Sequence, residues 1–171
     1  MELPVSTPFD DVVTANAAYA EKFDLSGLQA KAARGLALVT CMDSRIDPLG
    51  ALGLTTGDAK ILRNAGGRVT DDTLTALVLA AYLLEVDRVL VMPHTRCKMA
   101  SVSSDDEVHE AIRQASGVDT RSLEFNTIAD QRAALRHDLE RIRHHPMLPA
   151  DLAVAGAIYD VETGQVTLTD D

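Results

Sequence analysis

The sequence predicts an α/β fold: a single domain with a mostly parallel central β-sheet, an antiparallel edge hairpin and flanking helices. Three observations predict it. Short apolar runs alternate along the chain with stretches of helical periodicity, the pattern of parallel strands joined by helical crossovers. The run Leu36 to Cys41 is short and apolar, entered by Gly and left by polar residues, which suits a strand buried on both faces. The last such run follows a turn at Gly164 and alternates, Gln165-Val166-Thr167-Leu168, which suits a hairpin edge.

Taken in order, Val12 to Phe23 is rich in Ala with apolar residues at helical spacing, and predicts a helix within an N-terminal arm, residues 1–30. Gly35 leads into Leu36 to Cys41, an apolar run of strand length. Lys60 to Asn64 is a second strand, ended by Ala65-Gly66-Gly67. Thr70-Asp71-Asp72-Thr73 offers capping oxygens and acids suited to a helix start. The helix that follows, to about Leu84, is apolar nearly all round, so good cover is expected for it. Val86 to Met92 is the clearest strand and stops at Pro93, which has no N–H for a ladder. Helical patterns return over Asp105 to Ser116 and Ile128 to Arg143, the second ended by His144-His145-Pro146. Asp151 to Tyr159 is a further strand. No repeat or long linker divides the chain, and 1–171 reads as one domain.

Composition narrows the functions. With 46% hydrophobic and 25% charged residues in 171, the chain is of globular type. The longest apolar run, Ala76 to Leu84, falls far short of the ~20 residues that cross a bilayer. Met1 to Asp10 has no basic end, so no signal peptide is read there, and a cytoplasmic protein is expected. A formal charge of −10 argues against a nucleic-acid partner or a polybasic membrane anchor. The one basic stretch, Arg132 to His145, is broken by Asp138 and Glu140 and reads as a solvated helix face or subunit contact.

There are two cysteines, Cys41 and Cys97, and in a reducing compartment a disulfide is not the expected use. A metal site, a reactive thiol or two inert buried thiols remain. The neighbours decide. Cys41-Met42-Asp43-Ser44-Arg45 leaves one strand and His94-Thr95-Arg96-Cys97 leaves another, and functional residues of parallel sheets gather at such strand ends. Two thiolates and one imidazole make a zinc shell, and three protein ligands leave the open position of a catalytic site. Asp43 is the remaining candidate for that position, while Arg45 can pair with it bidentately. The alternative for the acid and guanidinium is a plain surface ion pair. Cys41 and Arg45 are spaced too closely for a phosphatase loop, and neither Gly50 to Gly53 nor Gly66-Gly67 supplies a dinucleotide fingerprint. Without Cβ atoms, Gly66 and Gly67 let backbone approach a ligand or another chain; a simple tight turn is the alternative.

Three runs, Cys41-Met42-Asp43-Ser44-Arg45, Arg63-Asn64-Ala65-Gly66-Gly67 and His94-Thr95-Arg96-Cys97, together resemble the beta-class carbonic anhydrases. Gly156-Ala157-Ile158-Tyr159-Asp160 with Thr163-Gly164 is similar to the family's late hairpin. The resemblance implies Zn2+ held by Cys41, His94 and Cys97, an Asp43–Arg45 dyad, and zinc-dependent reversible hydration of carbon dioxide to bicarbonate and a proton. It implies a second, closed state in which Asp43 itself is the fourth ligand. It also implies a homodimer or higher homo-oligomer, which the N-terminal helix would reach across to join. Two departures stand beside the second cysteine: Arg96, where the family commonly has an acidic or small residue, and Lys98, where it has Gly. They motivate one alternative, a catalytically impaired zinc- or bicarbonate-binding module. A carbonyl sulfide or carbon disulfide hydrolase on the same fold is another, and a reversible Cys41–Cys97 dithiol switch a third.

Overall fold

Leu36–Cys41 is buried at every position, as suits a strand with a neighbour on each side. The computed structural model describes residues 7–170; the ends of the 1–171 domain and of the 1–30 arm, residues 1–6 and 171, lie outside the described residues. The strands are β1 (Leu36–Cys41), β2 (Ala59–Asn64), β3 (Arg88–Met92), β4 (Ala153–Tyr159) and β5 (Val166–Leu168). They lie in the order β2-β1-β3-β4-β5. The first four run parallel and β5 pairs antiparallel with β4, as the alternation after Gly164 predicts.

The helices are α1 (Asp10–Ala20), α2 (Pro48–Ala51), α3 (Asp71–Leu83), α4 (Asp105–Ser116) and α5 (Gln131–Arg143). Their starts are chemical. Thr70 caps α3, Ser104 caps α4 and Asp130 caps α5, each accepting from a backbone N–H three residues on. The cap at Asp130 is why α5 begins there and not at Ile128. The short α2 has no apolar periodicity to announce it; it rests on Asp47 as cap and Pro48 in the first turn.

One face of the sheet is covered by α3 and α5: Ala37, Val39, Val89 and Val91 form a core with Leu74, Leu77, Leu135, Leu139 and Ile142. A second cluster holds Leu38, Met92, Ala157 and Tyr159 together with Cys41 and Cys97. Two expectations are corrected. The end of α3 is not well covered, for Leu79, Tyr82 and Leu83 are exposed; being apolar all round does not supply a neighbour on every side. Asp138 is not part of a solvated face. It is buried, and its carboxylate accepts from Arg68 Nε at 2.7 Å, Arg68 Nη2 at 3.1 Å and Val69 N at 3.1 Å. No residue of α1 is buried. Among the described residues, no helix is long and apolar enough to cross a membrane.

Candidate metal centre

β1 and β3 are parallel neighbours, so their carboxyl ends bring two loops to one place. Cys41 closes β1, and Pro93 to Cys97 follows β3 directly. Cys41, His94 and Cys97 are all buried, His94 completely. The two sulfurs stand 4.0 Å apart, and the ligating atoms of the three residues lie within 4.8 Å of one another. Among the described residues this is the one cluster of three His, Cys or acidic side chains arranged to hold an ion.

The imidazole is set for coordination. His94 Nδ1 lies 2.9 Å from the Thr95 carbonyl oxygen. A carbonyl only accepts, so Nδ1 carries the proton and Nε2 presents a lone pair. That Nε2 is buried and has no hydrogen-bond partner, an arrangement that costs free energy unless something fills it. Zinc fits. Two sulfurs at ~2.3 Å from a tetrahedral ion stand about 3.8 Å apart, close to the observed separation, and a backbone partner on the other ring nitrogen is the usual device for orienting a metal-binding His.

The thiols are poised for the same purpose. The Cys97 thiol, hydrogen-bonded to Cys41, is the main cause that holds Cys41 down to about 4, with His94 and the backbone of Asp43 and Gly66 adding to it against the opposing effect of burial. Cys97 is pushed far above its ordinary value by the Cys41 sulfur and by burial. By themselves the two sulfurs therefore share one proton. A divalent cation supplies the charge that lets both ionise.

Asp43 and Arg45 form the bidentate pair. Arg45 Nε donates to Oδ1 at 2.9 Å, Nη2 to Oδ2 at 2.7 Å, and the Arg45 backbone N–H to Oδ1 at 2.9 Å. The guanidinium holds the carboxyl well below the usual carboxylate range. Asp43 Oδ2 is also 3.7 Å from His94 Nε2, so the carboxylate flanks the triad while its hydrogen bonds go to Arg45. The backbone carbonyl of Arg96 accepts a further bond from Arg45 Nη2 at 3.1 Å. Arg96 is left-handed, with φ 55°, and its side chain pairs with Glu162 at 2.8 Å. Its charge is thus matched by Glu162. Lys98 opens a short turn, Lys98–Ala100, after the last ligand.

Gly66 and Gly67 have φ of 79° and 67°. A Cβ on Gly67 would lie 3.0 Å from the backbone N of Cys41, and one on Gly66 would lie 2.9 Å from Ile128 Cδ1. The turn thus backs directly onto the end of β1. Two positioning contacts have no sequence signal. Gln131 Nε2, at the start of α5, donates to the His94 carbonyl at 2.7 Å, and Thr95 Oγ1 accepts from Val161 N at 3.1 Å. They join residues 37 and 66 positions apart, which no local pattern reveals. His109 pairs with Thr120 Oγ1 and His144 with Glu140.

Comparison with known proteins places these features in a family. The family model described as carbonic anhydrase matches residues 36–166. Beta-carbonic anhydrase 1 of Mycobacterium tuberculosis is 33% identical over 161 residues, covering 94% of this chain and 96% of that protein. The crystal structure of carbonic anhydrase from Streptococcus mutans is 38% identical, with a TM-score of 0.90 over 97% of this chain and 99% of that one. A carbon disulfide hydrolase of Acidithiobacillus thiooxidans is more distant, 29% identical over 78% of this chain and 76% of that protein.

Proposed function

This chain belongs to the beta-class carbonic anhydrase family, and on that premise we propose how its residues divide the work of interconverting carbon dioxide and bicarbonate. The single observation that carries the reading is the buried Cys41, His94 and Cys97 constellation with its unpartnered Nε2. These three side chains would hold zinc. When bound, zinc supplies a Lewis acid that makes hydroxide available near neutral pH.

Asp43 receives and directs. Its carboxylate, kept anionic by Arg45, accepts a hydrogen bond from the attacking hydroxyl and orients the oxygen lone pair towards the carbon of carbon dioxide. Arg45 keeps that carboxylate from turning into the ligand position, and the Arg96 carbonyl keeps Arg45 in place. In the alternative, closed state Asp43 would leave Arg45 and join the three side chains that would hold the ion. The Gly66-Gly67 backbone forms the wall behind Cys41 and, on this reading, lets the substrate approach. Carbon dioxide, not its sulfur analogues, is the substrate supported by the higher identity and fuller coverage of the carbonic anhydrases.

The working form is read as a homodimer or higher homo-oligomer, with the chain one domain and residues 1–30 its arm. Support comes from α1, whose Val12, Val13 and Tyr19 are exposed, and from an apolar groove of about 440 Å³ at the opposite end of the sheet, lined by Leu36, Leu52, Leu90 and Leu168 with Arg34 and Arg88. Two free buried thiols suit a cytoplasmic setting.

Stopped-flow hydration of carbon dioxide by zinc-loaded protein tests the assignment, with carbon disulfide and carbonyl sulfide run beside it. Turnover of carbon dioxide well above that of either sulfur compound is expected, and the reverse order would refute it. Arg45→Ala should lower kcat by at least about 100-fold while zinc stays at one per chain. Retained activity would remove the dyad from the mechanism.

A further inference from the structure

Arg63 touches the site at two points. It is the penultimate residue of β2, paired in register with Thr40, while Asn64 pairs with Cys41. Its Nε donates to the carbonyl oxygen of Cys41 at 2.9 Å and its Nη2 to the carbonyl oxygen of Asp43 at 2.6 Å. Between them, Met42 N donates to the carbonyl of Asn64 at 2.9 Å. Three hydrogen bonds from the end of β2 therefore fix three successive residues, a metal ligand, its neighbour and the dyad acid.

The chemistry of the side chain suits this task. A guanidinium is a planar fork with fixed donor directions, so it can grip two carbonyls at once, whereas an ammonium is a point charge. Asp43 is held at both ends: its carbonyl by Arg63 and its carboxylate by Arg45. With the peptide pinned, only the side-chain torsions of Asp43 decide whether the carboxylate stays on Arg45 or turns towards His94 Nε2, 3.7 Å away. Without Arg63 the Asp43 carbonyl keeps its bond from Ile46 N at 3.1 Å, but this weaker hold makes rotation of the Asp43 peptide a second route to that turn.

We infer that Arg63 is a positioning residue for the reaction: it fixes the Cys41–Asp43 backbone so that the Asp43 carboxylate rests on Arg45 and stays out of the ligand position. This rests on the reading of Asp43 and Arg45 above. It makes Arg63 more than a strand-end support, because its loss should change what the metal sees as well as how firmly the chain folds.

The test compares wild type, Arg63→Ala, Arg63→Lys and Arg45→Ala, each loaded with zinc for kinetics and with cobalt(II) for its visible absorption spectrum. Metal per chain is measured by elemental analysis and folding by thermal denaturation. For Arg63→Ala we expect kcat to fall about 10- to 100-fold, KM to stay within about twofold of wild type because the affected interaction orients and does not bind, one metal per chain, and a cobalt spectrum shifted in the same sense as in Arg45→Ala. Arg63→Lys, able to reach one carbonyl, should recover part of kcat and part of the spectrum. Wild-type kcat and spectrum in Arg63→Ala, with Arg45→Ala impaired, would overturn the role of Arg63 alone. An active Arg45→Ala with an unchanged spectrum would instead overturn the dyad beneath it. Loss of metal or folding in both Arg63 variants would mark Arg63 as a folding residue and overturn the proposal as well.

Discussion

Gly67 shows how closely residue identity and metal chemistry are tied. Its φ of 67° is in the left-handed region, and an added Cβ would meet the backbone of Thr40 and Cys41 at 3.0 Å. Backbone cannot step aside as a side chain can. Gly67→Ala should therefore cost roughly 1–3 kcal/mol of stability and lower zinc occupancy by displacing Cys41. Gly66→Ala shares the strained φ, but its clash is with the flexible end of Ile128, so it should cost less. Urea unfolding with metal analysis of both variants checks the order, and equal losses would count against it. Cys41 and His94 are legible in the sequence because each stands beside the end of an apolar run, where the sheet delivers it, and Cys97 because it follows His94 by three residues. What orients the site is not. Thr95 orients the His94 ring and Arg96 holds Arg45 through carbonyl groups that every residue has, and side-chain identity carries no trace of such a role.

The elements follow the same division. β1 begins and ends where its apolar run does, and α3 and α4 begin beside their capping Thr and Ser. In α5 the structure departs from the expected solvated face at Asp138, because charges alternate along Arg132 to His145 and nothing local shows that this acid faces Arg68, 70 residues away. That pair joins α5 to the turn holding Gly66 and Gly67, with side-chain exposures of 3% for Asp138 and 15% for Arg68. Removing one partner of a buried pair leaves the other charge stranded, so Asp138→Ala should cost about 3–5 kcal/mol. Chemical denaturation reads this directly, and a loss below about 1 kcal/mol would mean the pair is solvated. A second tether is pH-dependent. Asp105, first in α4, accepts from the backbone N–H groups of Thr127, Phe125 and Asn126, and these bonds, that from Thr127 foremost, lower it below its ordinary value of 3.8. A group lowered on folding stabilises the fold above its unfolded value, and that stability is lost as pH falls through the folded one. Wild type should lose stability between pH 5 and 3 by more than Asp105→Asn does, measured by thermal melts across that range.

One chain by itself leaves apolar surface bare. Phe9, Val12, Val13 and Tyr19 on and beside α1, and Leu79, Tyr82 and Leu83 on α3, are all exposed. Large exposed apolar patches on a folded protein mark contact surfaces, and a stable interface needs about 800 Å² from each partner. The acids Asp10 and Asp11 open α1, while Arg34 and Arg88 line the apolar groove at the far end of the sheet. On the reading of the working form as a homo-oligomer, a helix with an acidic start and apolar flanks complements a groove with basic residues, and α1 of one copy is the segment expected in that groove of another. Little packing among the described residues would be sacrificed beyond the Tyr19–Phe23 ring contact, because no residue of α1 is buried. Val13→Asp combined with Tyr19→Asp should therefore leave the monomer fold intact yet shift sedimentation from dimer to monomer at micromolar concentration. The melting temperature of wild type should rise with protein concentration, as it does when association stabilises the native state, and that dependence should vanish in the double variant. A double variant that sediments as wild type, with the same concentration dependence, would show that α1 does not make the interface.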